Sequence, residues 1–583
     1  MRKLLALMLM GLVILVSGCL GSAPTTSSTH QPSTSTTYSQ SQSLPNVTHS
    51  QGFPENSSKN VSQSSQGINF TPVEVNLSPR VHLEIDPRVE LIQIIYFIAN
   101  PKWYQERVSP YLAGATPYNY PYMKDVAEYF ENYTNATAVK MIPIMVKEGI
   151  AYDAIPEFAL HLNPVNFSKA MNWSDMLQYR PWLNTTLLDK FARAVAQFAN
   201  ETDFWKFYNE HRAFYNETLR RFEEGNGKTI LNVTRFEESF FGEKASSWTI
   251  VPLTLISRHG FGFYINRKGD KYVYAFLGFS NVKDGIPIVY LSEYGITFLV
   301  HEFAHSFVNP AVNEYYSLFQ PYESLYDPVR EKLSMMAYTN FKIMLYETFV
   351  RAVEVYYLNI TGNKDDAKRK LGMYSVPFYF IKDVYNAYVN DYMKHRDVYK
   401  NYTDFMPELA KVVGKVYNET DGGKKVKPPM TVYDFLKRAN STGAIVAYSS
   451  GGYSRRVAEN EYHWLLSLGI NATLKPVSNL TEKELKGNLM LVLYSNSSLL
   501  KELNRNALVT VNGNKFYSRP SGETYTGGLK VFEVFRNPWN ESAVVYLAVG
   551  SGRWPFYNGY FPRIYYLTYV IIPDWGGDAF EWA

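Results

Sequence analysis

The chain of 583 residues is poor in cysteine, in histidine and in any excess of one charge. It contains 1 cysteine, so no disulfide can form within a single chain. Its 58 Lys and Arg residues nearly balance 54 Asp and Glu residues, which leaves a formal net charge of +4. The two signs are interspersed and form no basic face or tail, which argues against nucleic acid as a partner.

The single cysteine, Cys19, follows a secretory signal. Met1-Arg2-Lys3 is a short basic start, and Leu4–Val16 is an apolar run too short for an ordinary membrane span. Val16-Ser17-Gly18-Cys19 resembles the lipobox of prokaryotic lipoproteins, whose cysteine becomes the lipidated first residue of the mature chain. We therefore expect residues 1–19 to be a lipoprotein signal peptide and the mature protein to be anchored on the extracellular face of the cell membrane. A plain cleaved signal and an uncleaved N-terminal anchor are the alternatives.

Residues 20–70 are dominated by Ser, Thr, Gln, Asn and Pro. Such a segment cannot bury enough apolar surface to offset its chain entropy, so we predict a disordered tether. N-x-S/T sequons recur along the rest of the chain, which is typical of an exported glycoprotein. Examples are Asn132, Asn135, Asn184, Asn216 and Asn471.

A closely spaced histidine pair stands in the stretch V-H-E-F-A-H-S-F-V-N-P, residues 300–310. On a helix, His301 and His305 lie on one face, where both imidazoles can reach one metal ion. Glu302 is placed beside that ion to accept a proton from water, as the H-E-x-x-H pattern of zinc peptidases requires. The apolar run Tyr294–Val300 before it predicts a buried helix. The alternative is a pair of helix histidines that only pack or hydrogen-bond in a core.

A third ligand is expected on the later helix Phe341–Leu358, which is mostly apolar. A carboxylate there is costly to bury unless it is paired or coordinates a metal, so Glu347 is the candidate. Arg351 and Glu354 are candidates to contact the metal ligands and fix their orientation. The alternative for Glu347 is an ordinary surface pair with Arg351, four residues later. The next candidates, which lie closer to His305 in sequence, are Glu323 and Glu314.

The patterns predict an α+β protein. The larger domain, which is mostly helical, spans residues 71–430. It includes a small sheet directly before the helix that carries His301 and His305. Within residues 248–280 we expect β-branched and aromatic strands separated by Gly260, by Gly262 and by a turn at Lys268-Gly269-Asp270. Asn309-Pro310 is expected to end the metal helix and to lead into a loop or short helix.

A smaller α/β domain of unknown role is predicted over residues 441–583. Alternating strands and helices at Ala444–Tyr448, Arg455–Leu468, Ala472–Pro476, Glu482–Lys486 and Leu489–Tyr494 predict βαβ units.

Four stretches carry a resemblance to a known family: Asp86–Tyr96, Ala151–Leu162, His301–Pro310 and Tyr346–Ala352. Together they resemble an uncharacterised family of exported bacterial and archaeal proteins that is similar to the gluzincin metallopeptidases. The resemblance covers roughly residues 80–400. It implies that His301, His305 and Glu347 are zinc ligands and that Glu302 is the general base. The chain departs from the best-known gluzincins in the longer spacing between His305 and Glu347.

These observations favour a lipid-anchored, extracytoplasmic zinc metallopeptidase that acts on a peptide or protein substrate. A cell-surface binding protein that retains a metal site, and a hydrolase of a non-peptide amide in cell-envelope material, are the alternatives. The sequence does not identify the group that stabilises the oxyanion. Candidates are His259, Tyr379 and Arg351.

Overall fold

The computed structural model of this protein describes residues 69–99, 120–151, 154–180, 182–257, 260–289, 291, 293–551, 561–573 and 579–583. The predicted signal peptide, Cys19, nearly all of the predicted tether and His259 lie outside the described residues. What is described is a mixed α/β protein with several sheets. The predicted division into domains stays a prediction.

The helices of the described chain are α1 Pro87–Ala99, α2 Pro121–Tyr129, α3 Thr137–Lys147, α4 Ala154–Leu160, α5 Ser174–Tyr179, α6 Thr185–Glu201, α7 Phe204–Glu210, α8 Arg212–Phe241, α9 Glu293–Phe319, α10 Arg330–Met335, α11 Phe341–Ile360, α12 Lys364–Tyr374, α13 Ile381–Ala387, α14 Tyr402–Glu419, α15 Val432–Thr442, α16 Gly452–Ser467, α17 Glu482–Leu485 and α18 Leu500–Leu503. The strands are β1 Val73–Ser78, β2 Val81–Ile85, β3 Ser247–Ser257, β4 Gly260–Arg267, β5 Asp270–Phe279, β6 Asn281–Lys283, β7 Ile286–Ile288, β8 Ala444–Tyr448, β9 Ala472–Pro476, β10 Leu489–Tyr494, β11 Val509–Asn512, β12 Lys515–Ser518, β13 Thr524–Thr526, β14 Leu529–Asn537, β15 Asn540–Gly550, β16 Tyr569–Pro573 and β17 Glu581–Trp582.

A sheet does precede the metal helix α9, but it is larger than the sequence indicated. Its strand order is β1-β2-β3-β5-β4. Strands β2, β3 and β5 run parallel, while β1 and β4 are antiparallel to their neighbours. The first two strands come from the start of the described chain, before the long helical stretch that ends at Phe241. β4 is the last strand in this order, and this edge strand lies against α9.

Gly260 begins β4 and Gly262 lies inside it, so β3 and β5 are separated by a further strand and not only by glycines and a turn. Both positions require glycine because another part of the chain lies very close to them. A Cβ at Gly260 would overlap the Phe298 ring, and a Cβ at Gly262 would overlap the backbone of Glu302. The predicted turn is present. Lys268 and Gly269 have φ values of 55° and 92°, the positive values that a two-residue hairpin turn requires.

The prediction that Asn309-Pro310 ends the metal helix is wrong. α9 continues through Pro310 to Phe319 and has 27 residues. A proline inside a helix removes one backbone hydrogen bond, here the bond to the Ser306 carbonyl. Apolar residues on both sides of it, Val308, Ala311 and Val312, are at most 2% exposed, and their packing holds the helix together.

One hydrophobic core joins the first sheet to α1–α14, and its buried members run from Val73 to Val416. Two further cores cover the two faces of a second sheet, whose strand order is β17-β16-β14-β15-β10-β8-β9. In β10, Met490 and Val492 face one core while Leu489, Leu491 and Leu493 face the other, because successive side chains point to opposite faces. α15 packs into the core on the Met490 side.

The predicted strands at 444–448, 472–476 and 489–494 are confirmed, and they are parallel. The predicted second domain starts at residue 441, but Asn440–Thr442 belong to the end of α15. The five sequon asparagines named above are exposed. Within the described ranges, no helix combines the length and the apolar character needed to cross a membrane.

Candidate metal centre

Two helices of the first core bring three potential ligands together. α9 carries His301 and His305, and α11 carries Glu347. The Nε2 atoms of His301 and His305 are 3.0 Å apart, and each lies within 3.7 Å of a Glu347 carboxylate oxygen. One ligand atom from each residue lies within 4.8 Å of the other two. The residues chosen from the sequence thus form a cluster that can hold a metal ion.

Hydrogen bonds on the far side of each imidazole orient the two rings. His301 Nδ1 donates to Glu354 Oε1 at 2.7 Å, because an ionised carboxylate can only accept. His305 Nδ1 lies 3.1 Å from Asn309 Oδ1. With both Nδ1 atoms acting as donors, the Nε2 atoms of the two rings face each other and Glu347.

The electrostatics of the cluster keep the ligands in the forms that bind metals. Burial and the neighbouring His301 lower the pKa of His305 to about 4, so His305 is neutral at pH 7. Burial alone would raise the pKa of Glu347. Arg351 and the two imidazoles outweigh it, and the pKa of Glu347 lies below its usual range. A neutral imidazole and an ionised carboxylate are ligands that zinc accepts.

Arg351 supports Glu347 from the same helix. Its Nη2 lies 3.0 Å from Glu347 Oε2 and 2.8 Å from the hydroxyl of Tyr338, to which it donates. The guanidinium also lies against the rings of Tyr374 and Phe378, at 4.9 Å and 5.2 Å from their centroids. These contacts fix the carboxylate and supply a buried positive charge behind it.

Glu354 is held on its other side by a second cation. Its Oε2 accepts from Lys370 Nζ at 3.1 Å and from the Tyr374 hydroxyl at 2.9 Å. Lys370 Nζ also donates to Thr297 Oγ1 at 2.6 Å, on the turn of α9 that precedes His301. Lys370 and other groups around Glu354 overcome its burial and lower its pKa, so the partner of His301 is ionised.

Glu302 lies on α9 between the two histidines and is 7% exposed. Its backbone touches Gly262 of the edge strand β4. The candidate general base therefore lies where α9 meets β4, a strand at one edge of the described sheet.

The other candidates from the sequence lie elsewhere. Glu314 is exposed, and Glu323 accepts a hydrogen bond from the Tyr316 hydroxyl at 2.7 Å instead of joining the cluster. The Tyr379 hydroxyl donates to the Leu325 carbonyl at 2.8 Å. His259 is not among the described residues. Arg351, the remaining oxyanion candidate, pairs with Glu347.

Sequence reasoning missed Asn309, Tyr338, Lys370 and Tyr374. Asn309 follows His305 by four residues, and helical spacing would have placed it beside that ring. Lys370 and Tyr374 come from α12, and no local pattern connects that helix with the metal helix.

Comparison with known families identifies one match. The family model described as a domain of unknown function (DUF4932) matches residues 81–412. The matched region contains all the residues of the cluster and the residues that support it. No curated protein and no solved structure matches the chain significantly.

Proposed function

The chain belongs to the DUF4932 family, and we propose that it is a gluzincin-like zinc metallopeptidase. In this proposal His301, His305 and Glu347 hold the ion, and Glu302 is the general base. The substrate is a peptide or a protein.

The observation that carries the proposal is the convergence of three acceptors. The Nδ1 atoms of His301 and His305 face the acceptors Glu354 Oε1 and Asn309 Oδ1. The Nε2 atoms, 3.0 Å apart, therefore turn their lone pairs toward each other and toward the ionised carboxylate of Glu347. Glu347 Oε2 is buried and pairs with Arg351 Nη2 at 3.0 Å, which keeps the carboxylate ionised beside the two imidazoles. A cation shared by all three groups resolves the repulsion. Two imidazoles and a carboxylate are the ligands of a catalytic zinc site.

When bound, zinc supplies a Lewis acid that acidifies water and polarises a carbonyl group. Glu302 accepts the proton of the attacking water and passes it to the leaving amine. Glu354 and Asn309 hold the imidazoles in one tautomer and one orientation throughout. A site that only stabilises the fold would need no carboxylate at position 302.

The edge strand supports peptide as the substrate class. Among the described strands, β4 pairs with β5 alone, so it is an edge strand, the kind of strand to which an extended chain can be added. Main-chain hydrogen bonds to an edge strand position a peptide without regard to its sequence. The contact between Gly262 and Glu302 brings that edge next to the proposed base.

The location of the protein is a separate proposal, which rests on the sequence of residues 1–19. The short basic start, the apolar run and the small residues before Cys19 support a lipid anchor on the extracellular face of the cell membrane.

Metal analysis and a peptide-library assay on the full-length protein test the proposed activity. We expect about one zinc per chain, loss of tight zinc binding in His301→Ala, and cleavage that a chelator abolishes. His395→Ala, an exposed histidine outside the cluster, is the matched control and should retain zinc. Stoichiometric zinc in His301→Ala would refute the ligand assignment. Full zinc occupancy without cleavage of any peptide would favour a metal-containing binding protein.

A further inference from the structure

Helix α12 lies between the metal centre and the C-terminal sheet region. Residues four apart lie on the same face of a helix, so Lys370 and Tyr374 share one face while Lys368 and Gly372 share another. The first face contacts the groups behind His301. The second contacts the loop between β12 and β13.

The inner face makes an unbroken chain of contacts to a ligand. Lys370 Nζ and the Tyr374 hydroxyl both bind Glu354 Oε2, and Glu354 Oε1 accepts from His301 Nδ1. Lys370 is 7% exposed and Glu354 is 2% exposed. A buried carboxylate is stable only when its charge is compensated, and Lys370 contacts Glu354 at 3.1 Å whereas Arg351 lies 3.6 Å away, so moving Lys370 should move Glu354. The position of Glu354 in turn determines the orientation of the His301 ring.

The outer face touches backbone. A Cβ at Gly372 would overlap the backbone of Pro520 and Ser521, so α12 and this loop approach as closely as two main chains can. Beside this contact, Lys368 Nζ donates to Glu523 Oε1 at 2.7 Å. Val376, just beyond α12, packs against a core of the C-terminal sheet. α12 therefore cannot move outward without displacing the loop.

The loop is itself held firmly. Glu581, a fully buried residue of β17, accepts hydrogen bonds from Ser518 Oγ, at 2.6 Å, and from Ser521 Oγ. It also accepts from the hydroxyls of Tyr525 and Tyr569, at 2.7 Å and 2.9 Å. One carboxylate thus ties both ends of the loop to the C-terminal sheet, and the loop presents a fixed surface to α12.

We propose that the loop of residues 519–523 sets the position of α12, and that Lys370 is a positioning residue through which the C-terminal region fixes His301 for metal binding. The inference rests on the proposed metal site, which it extends by giving the C-terminal region a role in that site. It does not depend on which substrate is cleaved.

Zinc affinity of the full-length protein, measured by competition with a chromophoric chelator, is the direct test. We expect Lys370→Met to weaken zinc binding by about 10–100-fold, the usual effect of removing a group that supports a metal ligand. We expect Gly372→Ala to weaken it as well, because the added methyl group pushes α12 away from the loop while every charge stays in place. The visible spectrum of the Co²⁺-substituted proteins should change in both variants, because the ring of His301 is displaced.

Two matched controls separate this effect from general damage. Lys364→Met removes an exposed lysine from the first turn of α12, and Gly225→Ala adds a methyl group to a helix at a position with no atom within 4 Å. Both should bind zinc as the wild type does. Thermal unfolding of the metal-free proteins shows which variants fold. If Lys370→Met does not fold, Gly372→Ala still tests the inference.

A double-mutant cycle tests the route through Glu354. If Lys370 acts on His301 through this carboxylate, Lys370→Met should have little further effect in a Glu354→Gln protein. An undiminished effect there, or wild-type zinc affinity in Gly372→Ala, would overturn the inference. A wild-type protein that binds no zinc would instead refute the proposed metal site. A wild-type protein that binds zinc but cleaves nothing would refute the peptidase proposal alone.

Discussion

Gly262 of the edge strand and Glu302 of the metal helix are in direct backbone contact, and a Cβ at position 262 would overlap the Glu302 carbonyl group. The separation of β4 from α9 is therefore the smallest that two main chains allow. Because β4 is the strand proposed to hold the substrate, this contact sets the distance between a bound peptide and the proposed general base.

The first prediction concerns this contact. Gly262→Val should push β4 away from α9 and lower the free energy of unfolding by about 1–3 kcal/mol, as overpacking usually does. Peptide cleavage should fall while zinc content stays unchanged, because all three ligands belong to α9 and α11. Denaturant unfolding, metal analysis and cleavage rates measure the three quantities. Gly452→Ala, at a position with open space, is the control, and wild-type cleavage by Gly262→Val would contradict the prediction.

The second prediction separates the base from the ligand. Glu302→Gln should leave zinc content and folding nearly unchanged and lower kcat by about 10²–10⁴-fold, the usual contribution of a general base. Glu347→Gln replaces an anionic ligand by a neutral one, so zinc affinity and cleavage should fall together.

Glu314→Gln is the matched control for both, since Glu314 is an exposed glutamate of the same helix α9. Peptide hydrolysis by Glu302→Gln at the wild-type rate would disprove the proposed mechanism. Full zinc affinity in Glu347→Gln would place the third ligand elsewhere, and Glu323 would be the next residue to change.

The third prediction is a pH dependence of stability that arises from Lys332, which is not a member of the metal cluster. Lys332 of α10 donates to the Tyr566 carbonyl and to Thr568 Oγ1, both at 2.9 Å. Burial lowers its pKa to about 7, although Asp434 opposes the shift. A lysine in the unfolded chain has a pKa of about 10.4. Between these values the unfolded chain binds a proton that the folded protein lacks, so stability gains a contribution that rises with pH.

Lys332→Met removes that contribution. Between pH 7 and pH 10, the free energy of unfolding should rise by roughly 1–4 kcal/mol more in the wild type than in Lys332→Met. Denaturant unfolding at several pH values measures the difference, and Lys364→Met, which removes an exposed lysine, should follow the wild type. Parallel pH profiles for the wild type and Lys332→Met would show that Lys332 does not titrate in this range.

The fourth prediction concerns the N-terminus. Mass spectrometry of the mature protein should find a lipidated Cys19 as its first residue, and Cys19→Ser should release the protein or stall its processing. An unmodified Cys19, or a mature chain that begins after it, would contradict the lipid anchor.

The metal cluster could be predicted from the sequence because its signals are local. The spacing of His301 and His305 places both on one helix face, and the cost of burying Glu347 in an apolar helix singled it out. Strands β3 and β5 of the first sheet and β8, β9 and β10 of the second were likewise predicted from their local sequence, whereas β14–β17 were not. For these elements, local preference and the final fold agree.

What could not be predicted depends on contacts between distant segments. The sequence at Pro310 predicts a helix end, but the packing of the apolar residues around it keeps α9 intact. Gly262 reads as a strand separator, because the helix that requires a glycine there comes later in the chain. The sequence does not distinguish Lys370 from the other charged residues of its polar helix, because its hydrogen bond to Glu354 forms only in the folded protein.

The three proposed ligands come from two helices that pack in one core, so metal binding at this site would depend on the stability of that core. An ion that binds the folded chain and not the unfolded chain stabilises it by RT ln(1 + [L]/Kd), so zinc binding and the packing of α9 against α11 are linked equilibria. The Tm of the protein should therefore rise with the logarithm of free zinc concentration above Kd. Any variant that loosens these helices should lose zinc affinity even when its ligands are intact.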